Sequence, residues 1–364
     1  MKFSYSAIKR ILKYKNFPNK LKIIDLLSLY VCEAENNSGD IIEISIPPNR
    51  YSDLSSHVGI AREIEWILYK STKESDKYLV KYKNFTKQSK NLKIVNKSQG
   101  ICGRYSVLVL ELDKILVTPK WIIEILNTCG LKTINPIVDV MNYVMLEIGQ
   151  PLHAFDFYKL QAISNPLSQF IIRKAFRNES LLTLDDREIK LDENTLVIAD
   201  NINAVALAGI KGGKSTGVDD NTIRILIEAA NFEAESIYSS ALKYDLKTDA
   251  SIRFAHGLSH ELTPIALQRA FDIFKQITKV EVIASLDTEK KYQKIKYIIL
   301  TQKNIASLLG ESINDKKIID ILKFVSKEVF FDVKKQLYKV PSKLAKQARE
   351  ISFPKRVLEN NPWK

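Results

Sequence analysis

Cysteine, histidine and long apolar runs are all scarce in this chain. The three cysteines, Cys32, Cys102 and Cys129, are scattered and odd in number, which argues against a disulfide framework and against zinc-binding spacing. The four histidines form no familiar ligand cluster, so we expect no metal. No run of about 18 apolar residues and no charged-then-apolar leader is present, which predicts neither a membrane span nor secretion. We therefore expect a cytoplasmic protein.

Familiar catalytic motifs are also missing. The sequence has no GxSxG, no P-loop and no HExxH, and no paired carboxylates at a catalytic spacing. Gly209–Gly213 is rich in glycine but lacks the strand-glycine-helix context of a dinucleotide site. No ATP-binding synthetase motif is visible either, so we expect no amino-acid activation on this chain.

Positive charge is plentiful. The chain of 364 residues carries a net charge of +13, with 45% hydrophobic and 27% charged residues. Such a surplus favours polyanions, because lysine neutralises phosphates and releases counterions. A lysine bias inherited from an AT-rich genome would give the same composition, so charge alone leaves both readings open.

The patterning predicts a multi-domain α+β fold, because strands and helices mix without a regular βαβ repeat. We expect a small α+β module over 1–70, with a strand at 41–46 and a helix through Ile60 and Ile64. Residues 71–98 carry a lysine-rich stretch that suits a linker or solvated edge. A central domain over 99–290 and a small α+β module over 291–364 follow.

Within the central block, Tyr105, Val107 and Val109 alternate as in a strand, and further strands are predicted at 170–172, 196–198, 205–207 and 223–227. Thr118 and Pro119 suit the N-cap and first position of a helix that ends near Gly130. Asp185–Asp186 marks a turn, and Thr263–Pro264 starts another helix. In the last block we expect helices at 305–309 and 318–325 and strands at 329–333 and 337–340.

Four segments carry a family resemblance, in order and spacing. They are Ile134–Val144, Gly149–Asp156, Ala206–Gly213, and Ile227–Phe232 together with Thr248–Ser251. They resemble the editing domain of the bacterial-type phenylalanyl-tRNA synthetase beta subunit. Pro48–Arg50 and Gly59–Glu63 resemble the stretch that precedes this domain, and the resemblance runs from Met1 to about Val340.

The resemblance implies hydrolysis of tyrosine wrongly esterified to phenylalanine tRNA. It implies partners too, namely the acceptor end of that tRNA and a separate alpha subunit, with no membrane. It also implies a pocket in which His153 and Thr248 act on the ester, while the substrate is bound by Pro151, Gly212, Glu228 and Ala250.

Two of these residues can be judged on their own chemistry. Glu228 follows Ile225 and Ile227 at the predicted end of a half-buried strand, where a carboxylate is costly unless it is satisfied. A tyrosine hydroxyl would satisfy it, whereas a lysine or backbone donor is the plainer alternative. His153 stands in an apolar setting, where a lone histidine is more often a satisfied core residue than a catalytic one. Capping and turn chemistry are the plainer reading of Gly212, Thr248 and Ala250.

The sequence also departs from the family pattern. The stretch Cys32–Asn36 runs almost directly into the strand at Ile41, without the family's inserted oligonucleotide-binding fold. After Val340–Ser342 come Lys343, Leu344 and other residues that cannot supply oxygen ligands, so we predict that the family magnesium site is lost and that the chain uses no cofactor. The chain ends at Lys364, where the family continues into further modules.

Three hypotheses follow. The chain is a reduced or split beta subunit that works with an alpha subunit, a free-standing deacylase, or a non-catalytic scaffold for tRNA or protein.

Overall fold

The computed structural model describes residues 1–79, 85, 92–98, 100–113, 117–164, 168–200, 202–288, 297–325, 330–332 and 337–341. Helices and strands mix throughout these residues without a regular alternation, and the strands form five separate sheets. The predicted α+β fold class is confirmed. No helix in the described part of the chain is long and apolar enough to cross a membrane.

The elements are numbered in chain order. The α-helices are α1 (Tyr5–Leu12), α2 (Lys20–Tyr30), α3 (Tyr51–Leu54), α4 (His57–Tyr69), α5 (Lys120–Thr128), α6 (Pro136–Ile148), α7 (Phe157–Ser164), α8 (Ala234–Lys243), α9 (Asp249–Ala255), α10 (Leu262–Ile277), α11 (Gln302–Leu309) and α12 (Asp315–Val325). The strands are β1 (Lys2–Ser4), β2 (Ala34–Asn36), β3 (Ile41–Ile44), β4 (Leu92–Asn96), β5 (Cys102–Leu112), β6 (Leu152–Asp156), β7 (Ser168–Lys174), β8 (Ser180–Leu182), β9 (Glu188–Lys190), β10 (Leu196–Ala199), β11 (Ala204–Leu207), β12 (Lys211–Gly212), β13 (Arg224–Phe232), β14 (Val280–Asp287), β15 (Tyr297–Thr301), β16 (Phe330–Asp332) and β17 (Leu337–Pro341).

The first 70 residues form a three-stranded antiparallel sheet, in the order β1-β3-β2, with helices packed against it. The predicted strand and helix are confirmed as β3 and α4. A short 3-10 helix, Pro48–Arg50, follows β3, and Ser56 caps α4 by accepting a hydrogen bond from the backbone of Gly59.

Two larger sheets make up the central block. One has four antiparallel strands in the order β14-β5-β13-β6. The other has five strands in the order β12-β11-β10-β7-β4, in which β4 runs parallel to β7. The strand β4 lies inside the stretch predicted as a linker or edge, and it occupies an edge of this sheet. The domain boundaries at 70, 98 and 290 stay predictions.

The hydrophobic core divides along the four-stranded sheet. Ile225, Ile227 and Ala229 of β13 face a cluster that also contains residues of α1, α2, α4, α6 and α10. Leu226 and Ala230 face a second cluster, between the four-stranded and five-stranded sheets. A strand buried on both faces is apolar nearly throughout, which is why β13 shows little alternation. Glu228 lies on the face toward the second cluster.

Two predicted helix starts are wrong in detail. Helix α5 begins at Lys120 with Pro119 as its N-cap and no side-chain capping bond, because the Thr118 hydroxyl instead donates to Asp139 Oδ2 at 2.6 Å. Gly130 does follow its end, at a φ of 83°. Helix α10 begins one residue before Thr263.

The last described elements form a small unit with its own core. Strands β15, β16 and β17 make a three-stranded antiparallel sheet, and the core includes Leu309, Leu322 and Tyr338. Both predicted helices are confirmed as parts of α11 and α12. The strand β16 lies within the predicted 329–333, and β17 covers the predicted 337–340 and continues to Pro341. Lys343 and Leu344, on which the predicted loss of a magnesium site rests, lie outside the described residues.

Candidate functional site

A cavity opens between the two central sheets. Strands β6 and β13 form one side, the turn between β11 and β12 forms another, and α9 completes the wall. The space measures about 440 Å³ when the open solvent at its mouth is counted. Its lining residues are Pro151, Leu152, His153, Ile198, Ala206, Leu207, Ala208, Gly209, Ile210, Lys211, Gly212, Glu228, Ala250 and Phe254.

Glu228 lies in the middle of β13, with Val107 of β5 opposite on one side and His153 of β6 opposite on the other. The prediction that it ends its strand is therefore wrong, because β13 continues to Phe232. The residue is 7% exposed. Burial raises the pKa of Glu228 to about 7, against the opposing effect of a hydrogen bond from Tyr105. The carboxyl is thus close to half ionised at neutral pH.

Tyr105 is the protein's own partner for this carboxyl. Its hydroxyl donates to Glu228 Oε2 over 3.0 Å, and its side chain is fully buried. Tyr105 lies two residues from Val107 on β5, so it is a diagonal neighbour of Glu228 on the same face of the sheet. The sequence predicted a strand through Tyr105 but gave no sign of this contact, because the two residues are 123 positions apart.

His153 faces Glu228 across the β6–β13 pair, where opposed Cβ atoms lie about 5 Å apart. Its ring meets Phe155 edge-on, with ring centroids 4.4 Å apart. Within the described part of the chain, the buried Nε2 atom has no hydrogen-bond partner. Burial lowers the pKa of His153 to about 4, so the imidazole is neutral at pH 7. The ring thus leaves one buried polar atom unsatisfied beside the cavity.

Gly212 allows this histidine to pack against β12. A Cβ atom at Gly212 would lie 2.4 Å from His153 Cε1 and 2.8 Å from Nε2, closer than real contacts allow. The side chain of Leu184 would also be only 3.0 Å away. A glycine is therefore required here by close approach, and any larger residue would displace the ring.

Thr248 does not line the cavity. It is the N-cap of α9, where its hydroxyl accepts from Ser251 N at 3.0 Å and donates to Ile210 O at 3.2 Å. These contacts match the alternative role of Thr248 in helix capping. The hydrogen bond to Ile210 O also holds that residue of the cavity wall in place. Pro151 and Ala250 do line the cavity. The structure thus brings five of the six predicted residues together, and the sixth supports the wall.

Lys211 and Phe254 also line the cavity, although sequence reasoning did not select them. Lys211 Nζ lies 3.2 Å from Asp185 Oδ2 in the turn between β8 and β9. That turn was predicted from Asp185–Asp186, but its place beside the cavity depends on sheet pairing that the sequence does not reveal. Among the residues the structure covers, no group of three or more histidine, cysteine, aspartate or glutamate side chains is placed to hold a metal ion.

Residues 101–279 match the B3/4 domain family. The chain is 37% identical over 309 residues to the phenylalanine–tRNA ligase beta subunit of Coxiella burnetii, covering 83% of this chain and 37% of that protein. It is 36% identical over 271 residues to the same subunit of Dehalococcoides mccartyi strain CBDB1, covering 74% of this chain and 32% of that protein.

A solved structure is also similar. It is an N-terminal fragment of the phenylalanyl-tRNA synthetase beta subunit from Pyrococcus horikoshii, with a TM-score of 0.46 and 15% identity over 96% of this chain and 99% of that one. The family assignment rests on the sequence relatives. The chain spans only about a third of the length of those relatives. Residues 101–279 thus belong to the B3/4 domain family, and the chain is similar over most of its length to phenylalanine–tRNA ligase beta subunits.

Proposed function

We propose that the cavity is an editing site that hydrolyses tyrosine esterified to phenylalanine tRNA, and that the chain supports phenylalanyl-tRNA formation beside a separate alpha subunit in the cytoplasm. The observation that carries this proposal is the buried Glu228 carboxyl on the wall of a cavity otherwise lined mostly by apolar groups. The relatives are beta subunits of a ligase, which supports the assignment to translation.

Discrimination between the two esters would come from hydrogen bonding at Glu228. A tyrosine hydroxyl entering the cavity donates to the carboxyl, whereas a phenylalanine ring displaces water and offers nothing in exchange. Sites that hydrogen-bond a substrate hydroxyl reject the analogue lacking it by up to about 10⁴–10⁵-fold. Because Tyr105 already donates to one oxygen of Glu228, we expect a value below that range.

Hydrolysis would require little beyond a positioned water. The water oxygen attacks the ester carbonyl carbon, the bond to the ribose oxygen breaks, and the ribose oxygen takes up a proton, which leaves free tyrosine and tRNA. His153 lines the cavity, and a neutral imidazole can accept a hydrogen bond from this water at one ring nitrogen. With a pKa of about 4, the histidine is a weak base, so its proposed role is to orient the water.

The nucleic acid would be held largely by charge. The net charge of +13 favours phosphate contact, and Lys211 is a cationic residue of the cavity wall. Its ion pair with Asp185 is partly exposed, at 26% and 44% for the two side chains. Exposed pairs contribute little stability, so a phosphate could replace the aspartate at small cost.

The test is to incubate the purified protein with Tyr-tRNA and Phe-tRNA of the phenylalanine isoacceptor and follow loss of each ester. We expect rapid loss of the tyrosine ester alone. In Glu228→Ala that preference should collapse, whereas Glu43→Ala, at a half-buried position of β3 outside the cavity lining, should keep it. Equal loss of both esters, or an unchanged preference in Glu228→Ala, would contradict the proposed site. Co-purification with an alpha subunit would separate a beta subunit from a free-standing deacylase.

A further inference from the structure

The Tyr105–Glu228 pair is arranged so that only one member faces the cavity. Glu228 is on the wall, whereas Tyr105 lies behind it with a fully buried side chain. The hydroxyl reaches Oε2 of the carboxyl over 3.0 Å. A carboxylate accepts hydrogen bonds at both oxygens, so one such bond leaves the other oxygen able to receive a ligand donor.

From this geometry we infer that Tyr105 is a positioning residue for substrate selection: its hydroxyl fixes one oxygen of Glu228 so that the other meets the phenolic hydroxyl of the substrate. The inference rests on the proposed function. It adds a role for a residue outside the cavity wall, and it makes selectivity depend on a hydrogen bond between two side chains of the protein itself.

The same hydrogen bond also favours the ionised carboxyl. Burial raises the pKa of Glu228, and the Tyr105 bond is the interaction that opposes this rise. Removing one hydrogen bond to a charged group should move the pKa upward by about one to two units. At neutral pH the carboxyl would then be protonated, and a neutral acid is a weaker acceptor for a phenol than a carboxylate.

The other groups around Glu228 do not lower its pKa. His153 of β6 is neutral, since burial holds its pKa near 4. Lys211 of β12 is paired with Asp185. Helix α9 contributes the uncharged Ala250 and Phe254 to the wall. Cys102, near Tyr105 on β5, contributes to raising the pKa of Tyr105 and does not shift the pKa of Glu228.

A matched control exists elsewhere in the chain. Tyr143 is also buried and donates through its hydroxyl to a buried glutamate, Glu147, over 2.6 Å. This pair lies within α6, away from the cavity lining. Tyr143→Phe therefore removes the same chemical interaction without touching the proposed site.

The experiment compares Tyr105→Phe, Tyr143→Phe and the unaltered protein across the neutral pH range. Hydrolysis of Tyr-tRNA and Phe-tRNA gives the pH dependence of selectivity. Infrared spectroscopy follows the protonated carboxyl of Glu228, identified as the band that Glu228→Gln lacks. In Tyr105→Phe we expect both midpoints to rise by about one to two pH units, with selectivity at pH 7 falling about tenfold and recovering at higher pH. Tyr143→Phe should shift neither.

Should Tyr105→Phe fail to fold, site-specific 3-fluorotyrosine at position 105 keeps the ring and strengthens the donor, and both midpoints should then move down. An unchanged carboxyl titration in these variants would overturn the inference, whatever the hydrolysis result. Loss of selectivity that no rise in pH restores would also overturn it. If the unaltered protein hydrolyses neither ester, the proposed function fails, and with it the role in selection, even where the carboxyl titration shifts.

Discussion

In the described part of the chain, two tyrosine–glutamate pairs have both side chains buried, and they differ in what else contacts the carboxylate. In α6, Glu147 accepts from Tyr143 and also from Arg269 of α10, at 2.5 and 2.9 Å. At the cavity, Glu228 has the hydrogen bond from Tyr105, and burial raises its pKa to about 7. A carboxylate held by a tyrosine and an arginine joins two helices. A carboxylate beside an open cavity whose one hydrogen-bond partner among the described residues is a tyrosine is available to a ligand.

The largest expected effect comes from breaking the ion pair of the helical site. Arg269→Met leaves Glu147 buried without its cation, and removing one partner of a buried pair typically costs about 3–5 kcal/mol. We expect a loss of that size in urea unfolding at pH 7.5. Selectivity for the tyrosine ester should not change in the protein that remains folded. A loss below about 1 kcal/mol would mean that the two sites are less different than their contacts indicate.

The next effect concerns the carboxyl of the cavity. A folded-state pKa of about 7, above the ordinary value of 4.5, means that the native state binds the proton more tightly than the unfolded chain. Glu228 therefore lowers stability progressively as the pH rises from about 4.5 to 7, by about 3 kcal/mol in total. Glu228→Gln should be more stable than the unaltered protein by about that amount at pH 8.

The control is the pH dependence of the difference in stability between Glu228→Gln and the unaltered protein. Below pH 4.5 both proteins carry a neutral side chain at position 228, so their free energies of unfolding should converge. Unfolding by urea across this pH range measures both ends. A glutamine variant that is no more stable at pH 8 would show that the carboxyl is not desolvated as its burial indicates.

A smaller effect is expected at the contact between β12 and His153. In Gly212→Ala the new methyl group would meet the His153 ring, and overpacking of this kind typically costs about 1–3 kcal/mol. Hydrolysis of Tyr-tRNA should fall as well, because the ring must move. Gly130→Ala, at a left-handed turn with open space around it, is the control and should leave hydrolysis unchanged. Normal hydrolysis in Gly212→Ala would contradict a role for the His153 position.

The smallest effect on stability is expected at Lys211. Its partly exposed pair with Asp185 should contribute less than about 1 kcal/mol, so Lys211→Ala should unfold nearly as the unaltered protein does. Binding of tRNA should weaken. The slope of log affinity against log salt concentration should fall by about one, as expected for the loss of one phosphate contact. Lys9→Ala, in α1, should change neither. An unchanged salt slope in Lys211→Ala would remove this lysine from the proposed RNA contact.

Local patterns predicted much of the fold because the forces behind them are local. The alternation at Ile41–Ile44 and the helical spacing through Ile60 and Ile64 each reflect burial of one face. Thr118 shows the limit of this reasoning. Its hydroxyl donates to a carboxylate 21 residues further along the chain instead of capping its own helix. A prediction made from the residues next to position 118 cannot include that partner.

The candidate site was also predicted in part, and its long-range contacts were missed. Family resemblance selected His153, Gly212 and Glu228, and the structure places all three on one cavity. It did not select Tyr105, because a tyrosine in an apolar strand is read as core. The strand β13 was predicted too short, since a glutamate in the middle of an apolar run looks like an end, although it faces a cavity that tolerates it.

The strand β13 also determines how much of the chain an active fragment must contain. One of its faces supports the cavity, and the other is covered by a cluster that includes Ile8, Leu27 and Ile64 from the first 70 residues. His57 ties that region to α6 through a 2.9 Å hydrogen bond with Leu146 O. Cutting the chain at the edges of the B3/4 match would remove this cover and expose an apolar sheet to aggregation, so a minimal fragment with an intact cavity should retain the packing residues of the first 70 positions.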